Sequence, residues 1–362
     1  MIITQIIDYS SNGAGIAKSD TGCVVFVDGA VRGDVCEIEI TKQQKRVSHG
    51  RIVRIISPSQ HRIPVDCPYF DPGEAGTPAG APRCGGCDYR HISYEEELFA
   101  KRKRVNDALR RIGGVNIEVE DILTTGEING YRNNIQLKSD GKKVGFYAKN
   151  SHDIVPIDRC LLVNNEMNSE IRKGKTKIRT STETIGDFAF HISKESFFQV
   201  NTKAAKLLYD KAREYAALQS CETLLDLYCG TGTITLYLGR DAKSAVGVEI
   251  NEKAVENARV NAAANNIHNV EFLCMDAAKL DSCDYFDCIV VDPPRRGLDS
   301  LTIENLAGLN PARLVYISCD AATLARDIKS ICGYGYEVTR ACAVDMFPRT
   351  KHVECVALLE KT

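Results

Sequence analysis

Strand-like and helix-like segments alternate from Thr202 to the end of this 362-residue chain, and this alternation limits the possible folds more than any other feature. Short apolar runs such as SAVGVEI are followed by helix-like segments such as NEKAVENARVNAAANN. Further strand-like runs are TLLDLY, VEFLCMDA, FDCIVVDPP and RLVYISCD. Strands that alternate with helices predict a parallel sheet covered by helices on both faces, so we expect an α/β domain here.

A glycine-rich turn, LLDLYCGTG, joins the first of these strands to a helix. Asp226 ends the strand, and Gly230 lies in the turn, where a missing side chain lets a ligand approach the backbone. Glu249 ends the next strand and can accept hydrogen bonds from ribose hydroxyls. The turn lacks the third glycine of a dinucleotide site, and Asp226 would repel a pyrophosphate. We therefore favour S-adenosylmethionine, with Asp226 near its amino-acid end.

The stretch DPPRRG (292–297) follows a buried strand and begins with an acid. Open α/β sheets bind ligands beyond the carboxyl ends of their strands, which puts Asp292 on the ligand side. The next strand ends at Cys319, just before a predicted helix, so neighbouring strands would bring Asp292 and Cys319 together. A helix N-terminus lowers a thiol pKa and favours the nucleophilic thiolate. Cys319 is thus the predicted nucleophile, although most cysteines at strand ends are inert core residues.

Four longer motifs resemble the RNA uracil-5-methyltransferase family: DPPRRGL, VYISCDAATLARDI, DMFPRTKHVECVALL and FFQVN. In addition, GYRNNIQLK resembles the family's central domain, and the N-terminal strands resemble the TRAM domain, an OB-like RNA-binding β-barrel. The resemblance implies an α/β fold with a Rossmann-like class I methyltransferase domain, a central α+β domain and the barrel. The expected ranges are 93–119 with 196–362 for the first, 59–92 with 120–195 for the second and 1–58 for the third.

The resemblance also implies roles for single residues. Cys319 would add to C6 of uracil, and Glu354 of HVECVALL would remove the proton from C5. Without the resemblance, Glu354 would be read as a surface acid at a strand start. The positions that correspond to the family's S-adenosylmethionine contacts are Gln199, Tyr228, Glu249, Asp276 and Asp292.

Clustered basic residues indicate where RNA phosphates could bind, although the formal net charge is −2. Five basic residues and no acid lie in the segment 42–54: Lys42, Lys45, Arg46, Arg51 and Arg54. They fit a solvated strand face and a phosphate-contacting face equally well. Lys101–Arg104 could supply further phosphate contacts. A uracil inside folded RNA must be flipped out to reach Cys319.

The chain has 15 cysteines, an odd number, and no recognisable export signal. A reducing, cytoplasmic compartment is therefore expected, where clustered cysteines indicate metal binding or catalysis. Cys84 and Cys87 form a C-x-x-C pair with Cys67 upstream, which alone permits zinc, redox chemistry or chance. The rRNA enzymes of the family hold a [4Fe-4S] cluster, and the resemblance implies Cys67, Cys84, Cys87 and Cys160 as its ligands. Sixteen residues, rich in Pro and Gly, separate Cys67 from Cys84.

The combined features predict an S-adenosylmethionine-dependent RNA uridine C5-methyltransferase. We expect 23S rRNA as its substrate, because the commonest bacterial tRNA enzymes of the family lack the barrel and the cysteines. A tRNA uridine-54 enzyme and a non-catalytic RNA-binding or assembly factor are the alternatives. An RNA cytosine-5 methyltransferase would typically carry a cysteine in a Pro-Cys motif after the strand that leads to Asp292, where this chain has Asp-Pro-Pro-Arg. No apolar run approaches the ~18 residues that span a bilayer, so we expect no membrane partner, and a monomer is expected.

Overall fold

The computed structural model describes residues 1–19, 21–44, 47–73, 83–119, 122–193, 196–280 and 285–362. These residues form two compact units. The first consists of Met1–Ala100, Ile128–Arg179 and Phe347–Lys351, and the second of Lys101–Glu127, Thr180–Met346 and His352–Thr362. The three-domain division expected from the sequence stays a prediction.

The secondary structure alternates in the way that the sequence predicts from Thr202 onward. The strands are β1 (Ile2–Gln5), β2 (Asp8–Tyr9), β3 (Gly15–Lys18), β4 (Val24–Val27), β5 (Val35–Gln43), β6 (Val47–Ser57), β7 (Ile122–Leu123), β8 (Asn134–Gln136), β9 (Lys138–Ser139), β10 (Val144–Tyr147), β11 (Ile154–Pro156), β12 (Lys177–Arg179), β13 (Thr182–Ile185), β14 (Phe188–His191), β15 (Thr223–Leu227), β16 (Ser244–Glu249), β17 (Val270–Cys274), β18 (Cys288–Val291), β19 (Arg313–Ser318), β20 (Tyr336–Val344) and β21 (Glu354–Lys361). The helices are α1 (Tyr94–Ala108), α2 (Asn165–Arg172), α3 (Thr202–Ala216), α4 (Thr233–Gly239), α5 (Glu252–Ala264), α6 (Ser300–Leu309) and α7 (Ala321–Cys332). Within the described ranges, none of these helices is long and apolar enough to cross a bilayer.

The N-terminal strands of the first unit form a six-stranded sheet in the order β1-β5-β6-β4-β3-β2. Alternate residues of β5, such as Cys36 and Ile38, are fully buried, which is the period expected of a strand with one face in a core. The small sheets β11-β10-β9 and β12-β8 lie further along the chain in the same unit.

The outward face of β5 and β6 is less basic than the sequence suggests. Arg51 pairs with Glu39 at 2.6 Å and Arg54 pairs with Glu37 at 3.4 Å, because the antiparallel register of β5 and β6 places these side chains next to each other. Lys45 and Arg46 lie outside the described residues. The basic run on β6 is therefore partly neutralised by acids that precede it in the chain.

Helix α1 corrects the expectation of phosphate contacts for Lys101, whereas for the exposed Arg102 this contact stays a prediction. Lys101 is 1% exposed, and its Nζ donates a 2.6 Å hydrogen bond to Asp345. Lys103 pairs with Asp107 at 2.6 Å, and Arg104 with Asp320 at 3.7 Å. The sequence could not show the pairings of Lys101 and Arg104, because their partners Asp345 and Asp320 lie more than two hundred positions away.

We expect Lys101→Met to lower the free energy of unfolding by about 3–5 kcal/mol, because Asp345 would lose a buried cationic partner. The matched change Lys103→Met removes a partly exposed i,i+4 pair and should cost about 0.5 kcal/mol or less. Urea denaturation followed by circular dichroism measures both. Equal effects of the two changes would show that the buried pair adds no stability beyond that of an ordinary surface pair.

The second unit is built around an eight-stranded sheet in the order β17-β16-β15-β18-β19-β21-β20-β7. The pairs from β17 to β19 are parallel, and β21 is inserted antiparallel between β19 and β20. These strands confirm the predicted α/β sheet. The carboxyl ends of β15 to β19 and the start of β21 lie at one edge, which we call the ligand edge.

Candidate active site

The glycine turn begins at the ligand edge, directly after the central strand β15. Gly230 (φ +54°) and Gly232 (φ +80°) adopt left-handed backbone conformations. A Cβ at Gly232 would also lie 2.9 Å from Phe272 and 3.0 Å from Ala258. Both the backbone conformation and the lack of space therefore require glycine at this position. Asp226 lies beneath the turn without exposed surface, and its Oδ2 accepts a 2.5 Å hydrogen bond from Thr235 of α4. Asp226 therefore ties strand and helix together, and its direct contact with a donor stays a prediction.

The predicted ribose acid, Glu249, ends β16 beside the same turn. Its Oε2 accepts a 3.2 Å hydrogen bond from the Gly230 amide, and its Oε1 accepts a 2.8 Å bond from the Asn251 amide. Asp276 follows β17 and caps a 3₁₀ turn by accepting from the Ala278 amide at 3.1 Å. Both carboxylates are thus held by backbone amides at the ends of neighbouring strands.

The predicted donor contacts Tyr228 and Gln199 lie in different parts of the second unit. Tyr228 follows β15 with φ +67°, a conformation that few residues other than glycine adopt, and it keeps part of its surface exposed. Gln199 is 7% exposed and precedes α3. Asn201 caps α3 and also donates through its side-chain amide to the Met346 carbonyl at 3.1 Å, which fixes the segment that carries Gln199.

The register of β21 brings the two predicted catalytic residues to the ligand edge. Ser318 pairs with Cys355, so Cys319, which directly follows β19, and Glu354, the first residue of β21, are neighbours at this edge. Asp292 follows β18 on the other side of β19, and its amide donates to the Leu227 carbonyl at 3.4 Å. The structure therefore collects Cys319, Glu354 and Asp292 from three adjacent strands.

Burial raises the pKa values of three acids in the second unit, Glu354, Asp292 and Asp226. Burial and then the charge of Asp292 raise the pKa of Glu354 to about 8, and Glu354 is 4% exposed. Burial alone raises the pKa of Asp292 to about 7, although this residue retains some solvent contact. Burial also raises the pKa of Asp226 to about 8. A positively charged ligand would favour the ionised form of all three.

The expected low pKa of Cys319 is wrong in this structure. Asp320 caps α7 by accepting from the amides of Ala322 and Thr323, so the thiol does precede a helix N-terminus. However, burial and then the charge of Glu354 raise the pKa of the Cys319 thiol to about 11. Desolvation and neighbouring acids thus outweigh the helix terminus, and the thiol must lose its proton during the reaction.

Arg295 is a functional candidate that the sequence reasoning missed. It follows Asp292 by three positions, is exposed, and its charge favours the ionised forms of both Cys319 and Glu354. The signal was present in DPPRRG, where two arginines follow the prolines. The effect of Arg295 on Cys319 depends on the packing of this turn against α7, which the sequence did not reveal.

The four predicted cluster cysteines line one cavity in the first unit. Cys67, Cys84, Cys87 and Cys160 share this cavity with Arg90 and Arg132. Burial raises the pKa of the Cys84 thiol to about 11 and that of Cys87 to about 12, and it also raises the pKa of Cys160. Among the described residues, no three His, Cys, Asp or Glu side chains have the arrangement of a bound metal ion.

Comparisons with known proteins show which family the chain resembles. The family model described as tRNA (Uracil-5-)-methyltransferase matches residues 168–362, and the TRAM domain model matches residues 5–53. An RNA methyltransferase from Clostridium tetani is 32% identical over 98% of this chain and 95% of its own length. One from Bacillus cereus is 33% identical over 98% of this chain and 95% of its own length.

A solved structure matches the chain almost from end to end. The Pyrococcus abyssi tRNA (uracil-54, C5)-methyltransferase, in complex with S-adenosyl-L-homocysteine, is 25% identical and has a TM-score of 0.76. The match covers 99% of each chain. The expected fold, a class I methyltransferase domain with an N-terminal TRAM domain, is thereby confirmed. The chain belongs to the tRNA (uracil-5-)-methyltransferase family and is an S-adenosylmethionine-dependent RNA uracil-5-methyltransferase.

Proposed function

We propose that this enzyme methylates C5 of a specific uridine in 23S rRNA through a covalent adduct between Cys319 and C6. The observation that carries the chemistry is the register of β19 and β21, which makes Cys319 and Glu354 neighbours at the ligand edge. A nucleophile and a base on adjacent strands meet the requirement of a reaction that adds a thiol and later removes a proton.

The reaction proceeds by addition, methyl transfer and elimination. The Cys319 sulfur forms a bond to C6 while its proton passes to a carboxylate of the ligand edge, and electron density moves to C5. C5 then attacks the methyl group, the sulfonium–methyl bond breaks, and S-adenosylhomocysteine leaves. Glu354 takes the proton from C5, the electron pair restores the C5–C6 double bond, and the sulfur–C6 bond breaks.

The remaining predicted site residues would hold the donor. Glu249 and Asp276 lie at strand ends suited to the ribose and the adenine, while Gly230 lets the donor approach the turn closely. Tyr228 and Gln199 would contact the same donor, and Asp226 would support the turn beneath it. Three acids with raised pKa values, Asp226, Asp292 and Glu354, suit a donor that carries a sulfonium and an amino group.

A [4Fe-4S] cluster is the proposed second cofactor, held by Cys67, Cys84, Cys87 and Cys160. The cavity offers four thiols, the number and kind of ligand that such a cluster takes. It also contains the buried Nε atoms of Arg90 and Arg132, which have no hydrogen-bond partner among the described residues and suit a group that carries negative charge. When bound, the cluster would join chain segments that are distant in sequence.

We expect Cys84→Ser to remove most of the bound iron and the visible absorbance of the protein purified without oxygen. Cys221→Ser, which changes an exposed cysteine of the second unit, is the matched control and should leave both unchanged. Iron and zinc are counted by elemental analysis. Zinc in place of iron, or no metal in the wild-type protein, would contradict the cluster.

A tRNA substrate is the second candidate, and one observation favours it. The Pyrococcus abyssi enzyme, which is named for uracil 54 of tRNA, matches 99% of this chain. The TRAM domain and the cysteine cavity support 23S rRNA, since the commonest bacterial tRNA enzymes of the family are expected to lack both.

Methyl transfer to separated RNAs distinguishes the two substrates. Purified enzyme is incubated with methyl-labelled S-adenosylmethionine and either rRNA or tRNA from cells that lack the gene. Labelled 5-methyluridine in 23S rRNA would support the proposal, whereas label in tRNA alone would move the activity to the second candidate. An absence of label in every RNA would favour a binding or assembly role.

The other proposed properties follow from this activity. RNA reaches the site with its target uridine flipped out, and the TRAM domain contacts the surrounding phosphates. An enzyme that acts on ribosomal RNA works in the cytoplasm. We propose a monomer, because a single chain carries the nucleophile, the base and the expected donor contacts.

A further inference from the structure

The turn that carries Arg295 is fastened to the helix that follows Cys319. The Gly297 amide donates a 2.7 Å hydrogen bond to the Pro294 carbonyl, which closes the turn. Thr323 of α7 donates through its hydroxyl to the Arg295 carbonyl at 3.1 Å. Arg326 of the same helix donates to the Arg296 carbonyl at 2.8 Å. The Pro294–Gly297 turn is therefore held along the first two turns of α7.

Asp327 is the buried centre of this attachment. It is 1% exposed, and its Oδ2 accepts both the Leu298 amide at 2.9 Å and the Tyr316 hydroxyl at 2.6 Å. Its Oδ1 accepts from Arg326 Nε at 2.8 Å. One carboxylate thus connects the end of the turn, the strand that leads to Cys319 and the helix that follows it.

Gly297 shows how closely the turn lies against the helix. With φ +75°, it occupies the left-handed region, and a Cβ would lie 2.3 Å from Asp327 Oδ2 and from Thr323 Cγ2. No side chain fits between the turn and α7 at this point. The backbone at Arg295 is therefore positioned by the α7 side chains as well as by the turn itself.

The charges that face Cys319 come from each element around it. Glu354 belongs to β21, Asp292 and Arg295 to the segment after β18, and Asp320 to the cap of α7. The three acids oppose ionisation of the thiol and Arg295 favours it. Because a charge acts over a short range in water, the benefit depends on where the turn holds Arg295.

We propose that Asp327 is a positioning residue, which keeps the Pro294–Gly297 turn on α7 so that Arg295 stabilises the Cys319 thiolate. This inference rests on the proposed role of Cys319 as the nucleophile. Neither Asp327 nor Tyr316 touches the reacting atoms in this account, and both act through the turn.

Thiol alkylation as a function of pH tests the inference without RNA. The full-length protein is treated with iodoacetamide between pH 7 and pH 10, and peptide mass spectrometry follows the Cys319 peptide alone. The variants are Asp327→Asn and Tyr316→Phe. Tyr336→Phe is the control, since it also removes a buried hydroxyl bond, from Tyr336 to the Pro311 carbonyl at 2.9 Å, away from the turn.

For both test variants we expect the alkylation profile of Cys319 to shift to higher pH. A rise of about half a unit in the thiol pKa would slow alkylation at pH 8 about threefold. The sign is informative, because removal of the Asp327 charge by itself would lower the thiol pKa and speed alkylation. Tyr316→Phe changes no charge and so reports the attachment of the turn directly. Tyr336→Phe should leave the profile unchanged.

Arg295→Gln completes the experiment. It should slow alkylation to a similar degree, and adding Asp327→Asn to it should bring little further change. Additive effects, or unchanged profiles in folded Asp327→Asn and Tyr316→Phe proteins, would overturn the inference. If methyl transfer survives Cys319→Ala, the proposed mechanism fails instead, whatever the alkylation profiles show.

Discussion

Cys319→Ala should abolish formation of 5-methyluridine, with a loss of at least about 10⁴-fold in single-turnover rate. C5 of uracil is too weak a nucleophile to take the methyl group unless a group first adds to C6. The change removes the sulfur that makes this bond and leaves the glycine turn and the neighbouring acids in place. Binding of S-adenosylmethionine, measured by calorimetry, should therefore stay within about twofold of wild type.

Cys332→Ala is the matched control, because Cys332 is a partly buried thiol at the opposite end of α7. It should retain wild-type activity and donor affinity. Activity that survives in Cys319→Ala would contradict the covalent mechanism. Loss of donor binding together with activity would instead indicate that the change disturbs the ligand edge.

The closeness of Asp292 to Cys319 could be predicted from the sequence, because the two residues follow strands that are consecutive in the chain. Such strands are usually adjacent in a parallel sheet as well, and here Val291 pairs with Tyr316. Glu354 is different. Its strand, β21, lies antiparallel between β19 and β20, and no local sequence pattern predicts this insertion. Only the family resemblance pointed to Glu354 in advance.

The incorrect expectations share one physical cause, which is that a sequence pattern contains no information on distant partners. Lys101 lies in a basic run, yet its amine is buried against Asp345. Cys319 precedes a helix, yet burial and Glu354 determine the direction of its pKa shift. For the same reason the sequence shows Asp327 only as one polar residue within a helix motif, although three elements meet at its carboxylate.

Glu354→Gln should stop the reaction after methyl transfer and leave the enzyme joined to its RNA. Glutamine keeps the shape of the side chain but cannot accept the C5 proton, so the sulfur–C6 bond cannot break by elimination. We expect turnover to fall at least about 10³-fold and a protein–RNA species to persist in denaturing gels. Cys319→Ala added to Glu354→Gln should remove that species. A Glu354→Gln enzyme that turns over normally would exclude Glu354 as the base.

The raised pKa of Glu354 also predicts how the stability of the Glu354→Gln variant depends on pH. In the unfolded chain the carboxyl ionises near its model value of 4.5, and in the folded enzyme near 8. The neutral acid therefore stabilises the fold below pH 4.5, and this contribution is lost as the pH rises through about 8. Glu354→Gln should match wild-type stability near pH 4.5 and exceed it by about 2–5 kcal/mol at pH 9, as measured by urea denaturation without donor. Because the base must be ionised to accept the C5 proton, wild-type kcat/KM, which reports the pKa values of the free enzyme, should rise as the pH approaches about 8.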